Sequence, residues 1–71
     1  MKRTIINHNL MDLLDETAFV NYSWSLLSVV LVCTDIGFYF QIEDINDNVL
    51  HISATLKDLN KYFLEYRKED E

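Results

Sequence analysis

A chain of 71 residues with 49% apolar content, one glycine and no proline is long enough for a single domain, and that apolar fraction excludes a disordered chain. Six Lys and Arg against twelve Asp and Glu give a formal net charge of −6, which excludes the cationic groove that direct nucleic-acid binding requires. The single cysteine, Cys33, excludes an internal disulfide and a multi-thiolate zinc site and fits a reducing, cytoplasmic compartment.

In chain order, Arg3 to Ile6 read as a short extended segment, and Asn9 stands where a helix cap belongs, with Asp12 three residues on as a shortened capping box. Leu10, Leu13, Leu14 and Ala18 recur at helical spacing opposite Asp12, Asp15 and Glu16, which predicts an N-terminal helix from Leu10 to Phe19. Valine, leucine and aromatic residues between Tyr22 and Cys33 predict a strand, ended by a turn at Thr34–Gly37 in which Gly37 supplies a positive φ. Phe38, Phe40 and Ile42 alternate with Tyr39, Gln41 and Glu43, the period of a half-buried strand. Asp44 to Asn48 is the next turn, and Val49 to Ser53 the next strand. Thr55 caps a final helix whose stripe is Leu56, Leu59, Phe63 and Tyr66, with Lys61 and Glu65 one turn apart beside it. Residues 68–71 are expected to fray. The predicted class is therefore α+β: an N-terminal helix, a three-stranded antiparallel β-meander and a C-terminal amphipathic helix, in one domain spanning residues 1–71.

Between Thr17 and Thr34 lie eighteen residues without a charge, the lower limit for a membrane-crossing helix. Asn21, Ser23 and Ser25 interrupt the run and leave a greasy stretch of eight residues from Leu26 to Cys33, itself interrupted by Ser28, which is strand length. Its flanks are acidic at Asp15, Glu16 and Asp35 and lack a positive cluster. A signal peptide is not expected either, because the start turns acidic before a long apolar segment develops. As a strand the run is apolar on both sides, with Leu27, Val29, Leu31 and Cys33 on one face and Trp24, Leu26, Val30 and Val32 on the other. In a three-stranded meander it is also an edge. The second face therefore needs cover from a helix or from a second copy, and a homodimer through Trp24, Leu26, Val30 and Val32 is the expectation.

No residue set prescribes a reaction. Asp44, Asn46 and Asn48 alternate as in a calcium loop, but Val49 and Thr55 stand where an EF-hand places its Gly and bidentate Glu. The run DINDN is similar to the calcium-binding linker of cadherin repeats over five residues, without the Pro and aromatic that usually follow. A polar hairpin turn is the favoured reading, and calcium at Asp44, Asn46 and Asn48 the alternative. His8 and His51 have no ligand neighbours at metal spacing, and His51 is expected to face solvent. Phe38, Phe40, Phe63 and Tyr66 are expected in the core. No enzymatic activity and no cofactor are expected.

These readings converge on a small acidic protein that works by binding another protein, as an inhibitor or modulator, possessing a composition typical of A+T-rich bacterial or phage genomes. Asp12, Asp15, Glu16, Asp44 and Asp47 are the residues expected to meet a basic partner surface. The alternative is a single-span membrane regulatory peptide using residues 17–34.

Overall fold

Strong β-formers separated by a two-residue turn dictate the central hairpin of the protein, seen here in a computed structural model that describes residues 1–66. The tail expected to fray at 68–71 lies outside the described residues. Strand β2 (Leu27–Thr34) and strand β3 (Gly37–Asp44) pair antiparallel in full register, from Leu27 opposite Asp44 to Thr34 opposite Gly37. The turn between them fits a glycine at its exit, where Gly37 has φ +152°. The Thr34 hydroxyl donates to the Gly37 carbonyl at 3.1 Å and closes the turn.

The sheet has four strands rather than the predicted three, in the order β1-β2-β3-β4. Strand β1 (Lys2–Ile5) pairs antiparallel with β2, from Lys2 opposite Cys33 to Ile5 opposite Val30. The ladder continues past its end: the Ile6 amide donates to the Val29 carbonyl at 2.9 Å, and the Asn7 side-chain oxygen accepts from the Val29 amide at 2.9 Å. The double-faced strand β2 is therefore interior, not an edge. Strand β4 (Val49–Ser53) completes the far side of β3; Ile42 pairs with His51 but Glu43 with Val49, so a bulge forms at Leu50.

The predicted N-terminal helix is two short ones, and the extended segment read ahead of it at Arg3 to Ile6 is strand β1. A 3-10 turn over Asn7–Asn9 leads into α1 (Leu10–Leu13), which stops because Leu14 is extended at ψ 150°. Asp15 then restarts the helix: its carboxylate accepts from the Ala18 amide at 2.8 Å and caps α2 (Glu16–Val20). Asn9 precedes α1 without a side-chain cap bond, so the capping signal belonged to Asp15. Helix α3 (Leu56–Glu65) begins as predicted, with Thr55 Oγ1 accepting from the Asp58 amide at 3.2 Å. Two amides fasten α2 to α3: Asn60 Oδ1 accepts from the Asp15 amide at 2.8 Å, and Asn21 Nδ2 donates to the Phe63 carbonyl at 2.6 Å.

Residues 17–34 thus divide among α2, a turn and β2, and among the described residues no helix is long and apolar enough to cross a membrane. The predicted strand from Tyr22 starts only at Leu27, because residues 22–26 satisfy their backbone locally. The Tyr22 amide donates to Phe19, and the Leu26 and Leu27 amides donate to the Ser23 carbonyl.

Paired residues share a sheet face, and the helices pack on one face only. Leu27, Val29, Phe40 and Ile42 meet Leu10, Leu14, Ala18, Leu59 and Phe63 in a single core. Fully buried side chains of this size each contribute about 1.5–3 kcal/mol, so Leu10 anchors α1 and Leu59 and Phe63 anchor α3 to the sheet. Phe40 and Phe63 are buried as expected and Tyr66 packs against them, but Phe38 is 59% exposed because the hairpin extends beyond the helices.

Tyr22 bridges core and turn, its ring edge-on to Phe63 at 5.2 Å and its hydroxyl donating to the Leu27 carbonyl at 2.6 Å. Burial pushes its hydroxyl up to about 12, so it remains a donor through neutral pH. Ser53 is the opposite case: its hydroxyl is buried and has no hydrogen-bond partner among the described residues. Tyr22→Phe is accordingly expected to lower unfolding free energy by about 1 kcal/mol in urea titrations, and Ser53→Ala to leave it unchanged or raise it. Equal losses in the two variants would contradict this assignment.

Candidate functional site

The face of the sheet opposite the helices carries Val30 and Val32 of β2 at its centre, flanked by Arg3 and Ile5 on β1, Tyr39, Gln41 and Glu43 on β3, and Val49 and Ile52 on β4. No helix lies on it, yet Val30 and Val32 are each only 1% exposed. Their cover comes from the neighbouring strands. Arg3 reaches across β2 so that its Nη2 donates to Glu43 Oε2 at 2.5 Å, and Gln41 Nε2 donates to the same oxygen at 2.5 Å. The guanidinium stem, the amide and the carboxylate form a polar strap over the two valines. Glu43 itself is 5% exposed. Burial pushes its carboxyl up, but the hydrogen bonds from Arg3 and Gln41 and the charge of Arg3 outweigh it, and the group is held below the ordinary carboxylate range.

The four residues expected on this face as a self-association patch do not stay together. Val30 and Val32 lie beneath the strap, while Trp24 and Leu26 are in the turn before β2, each 49% exposed. The Trp24 ring packs edge-on against Phe19 at 5.5 Å and Tyr22 at 5.0 Å, on the helix side of the molecule. The sequence pattern calls for a helix or a second copy over Val30 and Val32; within the chain itself the strap covers them.

The acidic residues fall into two groups. Asp12, Asp15 and Glu16 lie exposed along α1 and the start of α2, with Asp15 also serving as the α2 cap. The helix break at Leu14 puts Asp12 and Glu16 on separate helices. Asp44 and Asp47 belong to the β3–β4 turn. Asp44 Oδ1 accepts from the Asn46 amide at 2.8 Å and the Asn48 amide at 2.9 Å, while Oδ2 accepts from Asn48 Nδ2 at 3.1 Å. These bonds, those from Asn48 foremost, hold the Asp44 carboxyl below its ordinary range. Both carboxylate oxygens are thus engaged inside the turn, and Asp47 takes the left-handed conformation at φ 64°, the geometry of a polar Asp–Asn turn. Among the described residues no three His, Cys, Asp or Glu side chains gather as metal ligands.

His8 is exposed in the 3-10 turn, but His51 is half-buried, its ring stacked on Tyr62 with centroids 4.6 Å apart, rather than facing solvent. Half-buried Cys33 helps line an apolar groove of about 490 Å³ with Leu13, Leu31, Phe38 and Phe40, beside Asp12. Lys61 and Glu65 form no ion pair; among the described residues the only one is Arg3–Glu43. That pair, with Gln41, is what sequence reasoning missed. Arg3 and Glu43 are 40 positions apart, and only the pairing of β1 and β3 with the same strand brings them together.

Compared with protein families, with curated proteins and with solved structures, the chain has no significant match.

The strap predicts an acid limb in stability. A carboxyl held low in the folded state contributes stability that is present above its unfolded pKa and is lost as pH falls toward the folded value. Glu43→Gln should therefore destabilise the protein at pH 7, and the deficit should shrink on acidification below about pH 4.3, the ordinary glutamate value. Urea midpoints measured for both proteins from pH 7 to pH 3 test it; a constant deficit would contradict the role assigned to the charge.

Proposed function

We propose that this protein is a non-catalytic protein-binding module, an inhibitor or modulator that works in the cytoplasm on a partner with a basic surface. The observation that carries the reading is an uncompensated acidic shell. With Arg3–Glu43 the only ion pair among the described residues, Asp12, Asp15, Glu16 and Asp47 are exposed without a cationic partner there, and Asp44 is held ionised by its turn. Exposed like charges destabilise a compact domain and raise the rate of encounter with an opposite charge, so their retention suits a protein whose work is docking.

The strength of such docking falls as salt rises, because the screening length shortens from about 10 Å at 0.1 M to about 3 Å at 1 M. Tagged protein should retain a basic partner from its native cell at low salt and release it at high salt. The triple variant Asp12→Asn, Glu16→Gln, Asp47→Asn, which leaves the Asp15 cap and the Asp44 turn intact, should associate about tenfold more slowly or worse at low salt in a surface-binding assay. Retention of the same partner at the same rate by the triple variant overturns the reading.

A further inference from the structure

We infer that strand β1 is a detachable cover: residues Lys2–Ile5 swing open about Ile6 while the rest of the domain stays folded, and so bare the apolar edge of β2. The inference goes beyond the acidic-docking reading and is independent of it. All four residues of β1 are exposed, Ile5 at 64%, so their departure gives up little buried apolar surface of their own. Among the described residues the strand makes one side-chain bond, Arg3 to Glu43. Against that bond and the ladder to β2 stands the chain freedom that a terminal segment regains on release. A strand in mid-chain would regain less, because both its ends stay tied.

Opening stops at Ile6. Its side chain is buried in the core, its amide donates to the Val29 carbonyl, and the Asn7 side chain accepts from the Val29 amide. These contacts hold the start of α1 on the sheet without help from Lys2–Ile5. What the departing strand uncovers is of a different kind. Val30 and Val32 lose the Arg3 stem above them, and the outward backbone groups of β2 lose their partners. From Leu27 to Cys33 that edge carries no charge and no proline, so nothing in it resists pairing with another extended chain. Strand β1 is thus the intramolecular occupant of a reactive edge, and Arg3–Glu43 is its latch.

The alternation of an antiparallel ladder makes this opening readable amide by amide. Val29 turns its amide and carbonyl toward the β1 flank. Leu31 and Cys33 therefore turn theirs to Thr4 and Lys2, while Val30 and Val32 turn theirs to β3. Hydrogen exchange of the full chain, followed by NMR and corrected for intrinsic rates, should show Leu31 and Cys33 exchanging about tenfold or more faster than Val30 and Val32. Low urea should leave the first pair unchanged and accelerate the second, which waits for global unfolding. Ile42→Val loosens the core that stays folded, so it should speed Val30 and Val32 about fivefold and leave Leu31 and Cys33 as they were. Arg3→Ala removes a bond absent from both the open and the unfolded forms, so it should speed all four amides by the same factor. The Ile6 amide should stay with the slow pair. A single rate and urea slope for all four amides, which needs no variant to observe, overturns the inference. So does an Ile42→Val effect shared by Leu31 and Cys33, or an Ile6 amide that exchanges with the fast pair.

Discussion

The pairing of four N-terminal residues with β2 is the constraint on which the rest of this structure depends. A hairpin with one greasy strand at its edge is exposed to aggregation, and the segment Lys2–Ile5 removes that exposure by becoming the neighbouring strand. The same pairing places Ile6 and Leu10 over the helix-side core and sets Arg3 above β2 on the other side. Without it Val30 and Val32 lose one flank of their cover, and Glu43 loses its charge partner.

The two faces of the sheet solve burial by different physics. On one side two short helices and α3 contribute apolar bulk, held in place by Asn21 and Asn60 bonds to backbone groups. On the other, a long arginine stem, an amide and a carboxylate cover two valines while keeping their polar atoms bonded to one another. A strap of this kind hides apolar surface yet leaves the face hydrophilic, so an open sheet face need not be a sticky one. On this face the exposed apolar side chains lie toward the sheet margins, at Ile5, Val49 and Ile52.

Charge follows a matching division. The single ion pair among the described residues is structural and inward, whereas the carboxylates of the α1–α2 segment and the β3–β4 turn remain turned to solvent. Two of those carboxylates also have backbone duties, Asp15 as a cap and Asp44 as the organiser of its turn. An acidic residue here is therefore not automatically a docking residue. Asp12, Glu16 and Asp47, which accept no hydrogen bond from the described residues, are the ones whose charge has no internal use.

Some local signals were legible because a short-range interaction decides the outcome, although the Asp15 cap and the local turn at residues 22–26 did not show in the pattern. The alternation in β3, the glycine at its entrance, the Asp–Asn turn and the Thr55 cap all depend on neighbours within a few residues, and each stands where the sequence placed it. The α+β class and the apolar faces of the 27–33 run were readable for the same reason. What the sequence could not decide were the choices made by distant competition. Whether Leu14 continues a helix depends on Asn60 taking the Asp15 amide, and whether Arg3 to Ile6 is a strand depends on the open side of β2. The strand pattern points His51 to solvent, but it stacks on Tyr62, and Phe38 to the core, but it lies where the hairpin outruns the helices. The sequence by itself determined the β2–β3 turn, the Asp44–Asn48 turn and the start of α3, because a glycine, an Asp–Asn cluster and a threonine cap each act on neighbours within a few residues. Tertiary structure alone decided which strand is an edge, and therefore which apolar surface is covered and which charges meet, because those depend on groups tens of residues apart finding the same strand.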